Sequence, residues 1–202
     1  MNTKQVEELV LQSLEHELGG VKVYGKAVEC AVNADLKKEW QEYLEQTQTH
    51  VRALESVCAA LGVDAQQETP GRGVVRHVGG ALVQAMEMAL AAGDPAAAEL
   101  VACECVVLAE TKDHADWQLL GKCAENLEGP GAELLKEAYS TIEDEEDEHL
   151  YHTKGWCREL WIQSLGLPAV LPPPEEQMHV KTAIGAARAE QAGEKLRLAS
   201  SR

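Results

Sequence analysis

The chain has 202 residues, a formal net charge of −16, 45% hydrophobic content, few aromatics and no phenylalanine. That acidity excludes a surface that neutralises nucleic-acid phosphates, and no apolar run approaches the roughly 20 residues of a bilayer span. The expectation is a cytoplasmic protein, with no nucleic-acid or membrane partner and one helical core with an appendage.

The first predicted helix runs from about Lys4 to Val32, with Val6, Val10, Leu14, Glu17, Val21, Tyr24, Val28 and Ala31 on one face. Glu17 is the single charge on that stripe. Asn33-Ala34-Asp35 breaks the helix, and Asp35 is a candidate cap for the next. That second helix, about Leu36 to Leu61, turns Leu36, Trp40, Tyr43, Thr47, His50, Leu54 and Val57 inward. So short a connection implies antiparallel packing.

Gly62 to Gly73 reads as a polar linker, followed by a shorter helix over Val74 to Ala92 with Val75, Val78, Leu82, Ala85, Met88 and Leu90 as candidate buried positions. It is the crossover to a second antiparallel pair. Asp94-Pro95 is a helix start, Asp as cap and Pro in the first turn. The helix it opens, about Pro95 to Asn126, aligns Cys103, Val106, Val107, Glu110, His114, Trp117, Gly121 and Ala124. Glu128-Gly129-Pro130-Gly131 then breaks the chain, and a last long helix covers about Ala132 to Leu165. The division is therefore a bundle over 1–166 with its crossover in 62–93, then a Pro-rich turn and a C-terminal helical arm over 167–202. The six cysteines contain no Cys-x-x-Cys pair, and reduced thiols are expected.

Within the acidic run Glu143 to Glu148, Glu146 and His149 stand three apart, about 60° from each other on one helical face. Leu135, Ala138, Ile142, Thr153, Trp156 and Leu160 flank that face and make it apolar. A carboxylate there needs a counter-charge, and a divalent metal held between helices would supply it. The two halves of the chain also repeat. Glu17-x6-Tyr24 aligns with Glu110-x6-Trp117, and Thr47-x-x-His50 with Glu146-x-x-His149. A helix pair repeated after about 95 residues implies a pseudo-twofold four-helix bundle.

His16-Glu17-Leu18 through Tyr24, the run Glu45 to Leu61-Gly62 around His50, and Asp144 to His149 resemble the ferritin-like superfamily of carboxylate-bridged di-iron and di-manganese bundles, most nearly its YciE/YciF-like stress-associated branch. The resemblance covers roughly Val6 to Leu165. It implies an all-α, antiparallel four-helix bundle with Glu17 and Glu110 as terminal carboxylate ligands, Glu146 as a bridging carboxylate, and His50 and His149 as nitrogen ligands. One position departs from the pattern: Thr47 stands where the superfamily has a second bridging glutamate. His114, about 40° from Glu110 on the same face, is a compensating candidate. With Glu110, Glu146 and His149 it would complete two carboxylates and two imidazoles around one ion. The resemblance further implies one or two iron ions, with manganese or zinc as alternatives, a homodimer, and an oxidase or peroxidase activity on dioxygen or peroxide linked to stress or iron handling. Two alternatives stay open: a non-enzymatic stress or interaction protein with a degenerate site, and a di-iron hydroxylase.

Overall fold

The structure, a computed structural model, describes residues 1–170; the helical reading of the C-terminal arm falls largely outside them. The described residues form five helices and no strand: α1 Thr3–Cys30, α2 Ala34–Leu61, α3 Pro70–Ala91, α4 Pro95–Asn126 and α5 Pro130–Ser164. Each boundary has a local cause. The cap of α2 is Asn33, whose side chain accepts from the amides of Asp35 and Leu36, and not the expected Asp35. Gly62, in the left-handed region at φ 72°, ends the same helix. α3 starts four residues before the expected Val74, because Thr69 caps Arg72 N–H and Pro70 occupies the first turn. Asp94 caps α4.

α1 packs on α2 and α4, and α5 on α2 and α4, while the backbones of the diagonal pairs α1/α5 and α2/α4 stay apart and meet through side chains in the middle. The four helices therefore form a ring in the order α1, α2, α5, α4. α3 packs outside the ring on α1 and α4. This placement corrects its expected buried face: Val75 and Met86 are buried, whereas Val78 and Met88 are 49% and 68% exposed. Its start is fixed by Arg72, a buried arginine whose Nη2 donates to Glu15 Oε2 at 2.8 Å and whose Nη1 donates to the carbonyls of Ala65 and Gln67. Arg76 Nε adds a bond to Glu15 Oε1 at 2.7 Å.

The core consists of two apolar clusters. One holds Val23, Tyr24, Trp40, Tyr43, Ala109 and Trp156; the other holds Leu14, Leu54, Trp117 and Ile142. Each ring helix passes from one cluster to the other, and at each passage stand buried polar residues: Glu17 on α1, Thr47 and His50 on α2, Glu110 and Asp113 on α4, Glu146 and His149 on α5. The polar layer lies across the middle of an otherwise apolar bundle.

Candidate metal centre

Five of the six candidate ligands come together in this layer. Glu17, His50 and Glu146 form one group and Glu110, Glu146 and His149 a second, each offering ligand atoms within 4.8 Å of one another. Glu146 belongs to both and joins them. Its Oε1 lies 3.0 Å from His50 Nδ1 and 3.4 Å from His149 Nδ1. Glu17 Oε1 stands 3.5 Å from His50 Nδ1, and Glu110 Oε2 3.6 Å from His149 Nδ1.

The outer nitrogens of the two histidines are held from behind. His50 Nε2–H donates to Glu145 Oε2 at 2.8 Å, and His149 Nε2–H to Gln46 Oε1 at 2.9 Å. A neutral imidazole with its proton fixed on Nε2 presents the Nδ1 lone pair. Both Nδ1 atoms point into the layer. Trp117 Nε1–H donates to Glu17 Oε1 at 2.8 Å and fixes that carboxylate from α4. The ring of Tyr43 packs 4.2 Å from that of His149, centre to centre. Its hydroxyl donates to Glu39, with His152 Nδ1 at 2.7 Å.

On the inner side, hydrogen bonding stops. Glu17 Oε2, Glu110 Oε2, both oxygens of Glu146 and Nδ1 of both histidines are buried without a hydrogen-bond partner. The histidine–carboxylate separations are those of ion pairs. Six converging unpartnered ligand atoms in a dry layer are costly, and four carboxylate oxygens with two imidazole nitrogens are a donor set suited to iron, manganese or zinc. The residues fit a metal.

The electrostatics tie the histidines to the acids. Burial disfavours charged imidazoles, but Glu146 and Glu17 outweigh it at His50 and lift its pKa to about 11. Glu146 and Glu110 likewise lift His149 to about 9. Protons on the two Nδ1 atoms thus stand where a cation would. Burial alone would raise Glu146, yet His149 and His50 hold it well below the usual range. The other acids lack such support. Burial pushes Glu17 up to about 7 against His50 and Trp117, and burial with the Glu146 charge raises Glu110.

His114 does not join the layer. Its Nε2 donates to Asp147 Oδ1 at 2.6 Å, and its side chain is 17% exposed at the α4/α5 flank. The neighbouring acid captures it, so the single-ion centre with two imidazoles loses its second imidazole. Thr47 is buried but offers no ligand, because its hydroxyl donates to the Tyr43 carbonyl at 2.8 Å and its methyl packs beside Gly20.

Sequence reasoning missed two supporting residues, Gln46 and Glu145, which reach around their helices to the histidines, and it passed over the buried Asp113, one turn beyond Glu110 on the same face. A cavity of about 400 Å³ opens elsewhere, lined by Met1, Leu9, Leu119, Lys122, Cys123 and Asn126, and reaches none of the five ligands. No helix among the described residues is long and apolar enough to cross a membrane. No protein-family model, curated protein or solved structure matches this chain.

Proposed function

We propose that the protein is a ferritin-like bundle that binds iron, with manganese or zinc as substitutes, between Glu17, His50, Glu110, Glu146 and His149, and that it acts as an oxidase or peroxidase on dioxygen or peroxide. The observation that carries this reading is the set of six buried ligand atoms without hydrogen-bond partners, backed by bonds to Nε2 of both histidines. Bound iron would supply one-electron redox chemistry at a site that the apolar clusters on either side keep dry.

The chain's own residues have separable tasks. Glu146 spans the two groups and carries the negative charge that holds both histidines. Glu145 and Gln46 fix the imidazole rings so that Nδ1 and not Nε2 faces the acids. Trp117 limits Glu17 to one rotamer by binding its outer oxygen. Burial, followed by the charges of Glu110 and Glu146, keeps the Tyr24 hydroxyl protonated beside the site.

The decayed-site alternative requires the polar layer to close on itself through hydrogen bonds, and its inner atoms meet instead as ion pairs of 3.0 to 3.6 Å. Pairing of two copies belongs to this reading. Its support is the outer face of α3, where Val74, Val78, Ala81 and Met88 stand exposed at steps of four, three and seven residues, the spacing of a helix–helix seam. With Arg72 buried, Arg76 and Glu87 leave the exposed side of α3 without net charge in a chain of net charge −16.

Oxygen uptake on anaerobic loading with Fe(II) followed by air tests the activity. Uptake in proportion to bound iron is expected in the native protein, with loss in Glu146→Ala. Equal uptake by both proteins would refute the assignment.

A further inference from the structure

Asp113 is buried to 4% exposure on α4, with Oδ1 lacking any hydrogen-bond partner. It stands three residues after Glu110 and four before Trp117, which bonds Glu17. It therefore occupies the same inward stripe of α4, between a ligand of one group and the support of the other. Burial, then the charges of Glu17, Glu146 and Glu110, hold its carboxyl well above the usual range. A buried acid with a bare oxygen, facing three more acids, has no structural reason to be there. An alanine or leucine at 113 would pack the same apolar stripe at lower cost.

The charge of the centre supplies a reason. Glu17, Glu110 and Glu146 bring three negative charges, and the imidazoles bring none once metal has displaced their Nδ1 protons. Two divalent ions bring four positive charges. A net charge in a dry layer is strongly disfavoured. The cationic partners of Glu17, Glu110 and Glu146 are His50 and His149; Lys112 is paired with Asp116 on α4, and the buried Arg72 with Glu15 on the outside of α1. Thr47, whose hydroxyl is turned to its own helix, brings no charge from α2. α2 and α4 are diagonal in the ring, so Asp113 enters the layer from the side opposite Thr47.

We propose that Asp113 is the fourth carboxylate of the centre, supplying from α4 the negative charge that Thr47 does not supply from α2, so that the layer neutralises two divalent ions. This rests on the metal-binding reading above. Asp113 lies outside the two tight ligand groups, and its part is to balance charge for the second ion. It also gives Thr47 a different meaning: the second metal position is kept, with its charge drawn from another helix.

The test is a Co(II) titration of the full chain, followed by ligand-field absorption and by elemental analysis after desalting, on the native protein, Asp113→Asn and Glu146→Ala. Asparagine has the shape of the protonated acid, and far-ultraviolet circular dichroism verifies its fold. The native protein is expected to bind two ions per chain, and Asp113→Asn to keep one and bind the second about 10- to 100-fold more weakly, the loss usual for a supporting group of a metal site. A second variant, Asp113→Glu, retains the charge and is expected to keep both ions. Two ions in Asp113→Asn at native affinity would overturn the role of Asp113 while leaving the centre intact. No ion in the native protein would overturn both.

Discussion

Replacing Glu17 by glutamine should make the metal-free protein more stable at alkaline pH while weakening metal binding. In the unfolded chain this carboxyl ionises near 4.5, whereas in the fold burial pushes it up to about 7. Between these values the native state holds a proton that the unfolded state has lost, so the contribution of Glu17 to stability falls as pH rises through that window. Above about pH 7 the loss is complete. At about 1.4 kcal/mol per pH unit, the interval from 4.5 to about 7 corresponds to a penalty of about 3 kcal/mol. Glutamine carries no such penalty, and its carbonyl oxygen can still accept from Trp117. Urea denaturation with a chelator present, at pH 4.5 and pH 8, measures the difference. The variant should match the native protein at pH 4.5 and exceed it by about 3 kcal/mol at pH 8, or roughly 6–12 °C in Tm. A variant no more stable than the native protein at pH 8 would refute the claim that burial outweighs His50 and Trp117 at Glu17.

Metal uptake at pH 7 should release at least about two protons per chain, since His50 and His149 hold theirs to about 11 and 9 and Glu17 is half ionised, with the raised carboxyls of Glu110 and Asp113 adding to the count. Calorimetry in two buffers of different ionisation enthalpy counts them, and uptake without release would contradict the protonated Nδ1 atoms. Affinity should fall with acidification for the same reason. Arg72→Met removes a buried partner of Glu15 and strands the carbonyls of Ala65 and Gln67, so it should cost roughly 3 kcal/mol in denaturant titrations. Amide exchange at the start of α3 should quicken before the ring helices open. Unchanged protection there would show that Arg72 does not anchor α3. Val78→Glu places like charges together across a seam of paired α3 helices; light scattering should report a dimer becoming a monomer, and a native monomer would contradict the seam.

The ring helices were legible because their apolar positions repeat at helical spacing and proline, glycine and asparagine or aspartate mark their ends. α4 is found over the expected residues, whereas α3 begins earlier because a Thr-Pro start was read as linker. The outer face of α3 was misread for a different reason. Periodicity identifies an apolar stripe but does not reveal how many neighbours cover it, and α3 has neighbours on one side only. Glu17, His50, Glu110, Glu146 and His149 stood out as polar residues on apolar faces, repeated in two halves. His114 satisfied the same angular rule, and a single acid on α5 diverted it. Glu145 and Gln46 were invisible because each acts by reaching around its helix to a histidine on another.

The central claim is that the six bare ligand atoms of the layer hold metal. Metal content per chain after anaerobic Fe(II) loading and desalting, with Glu146→Ala as control, tests it directly. Two irons per native chain, none retained by the variant, and a near-ultraviolet oxo-bridge band on exposure to air are predicted. Iron in the native protein no higher than in Glu146→Ala would contradict the claim and leave the layer a buried network of acids and histidines.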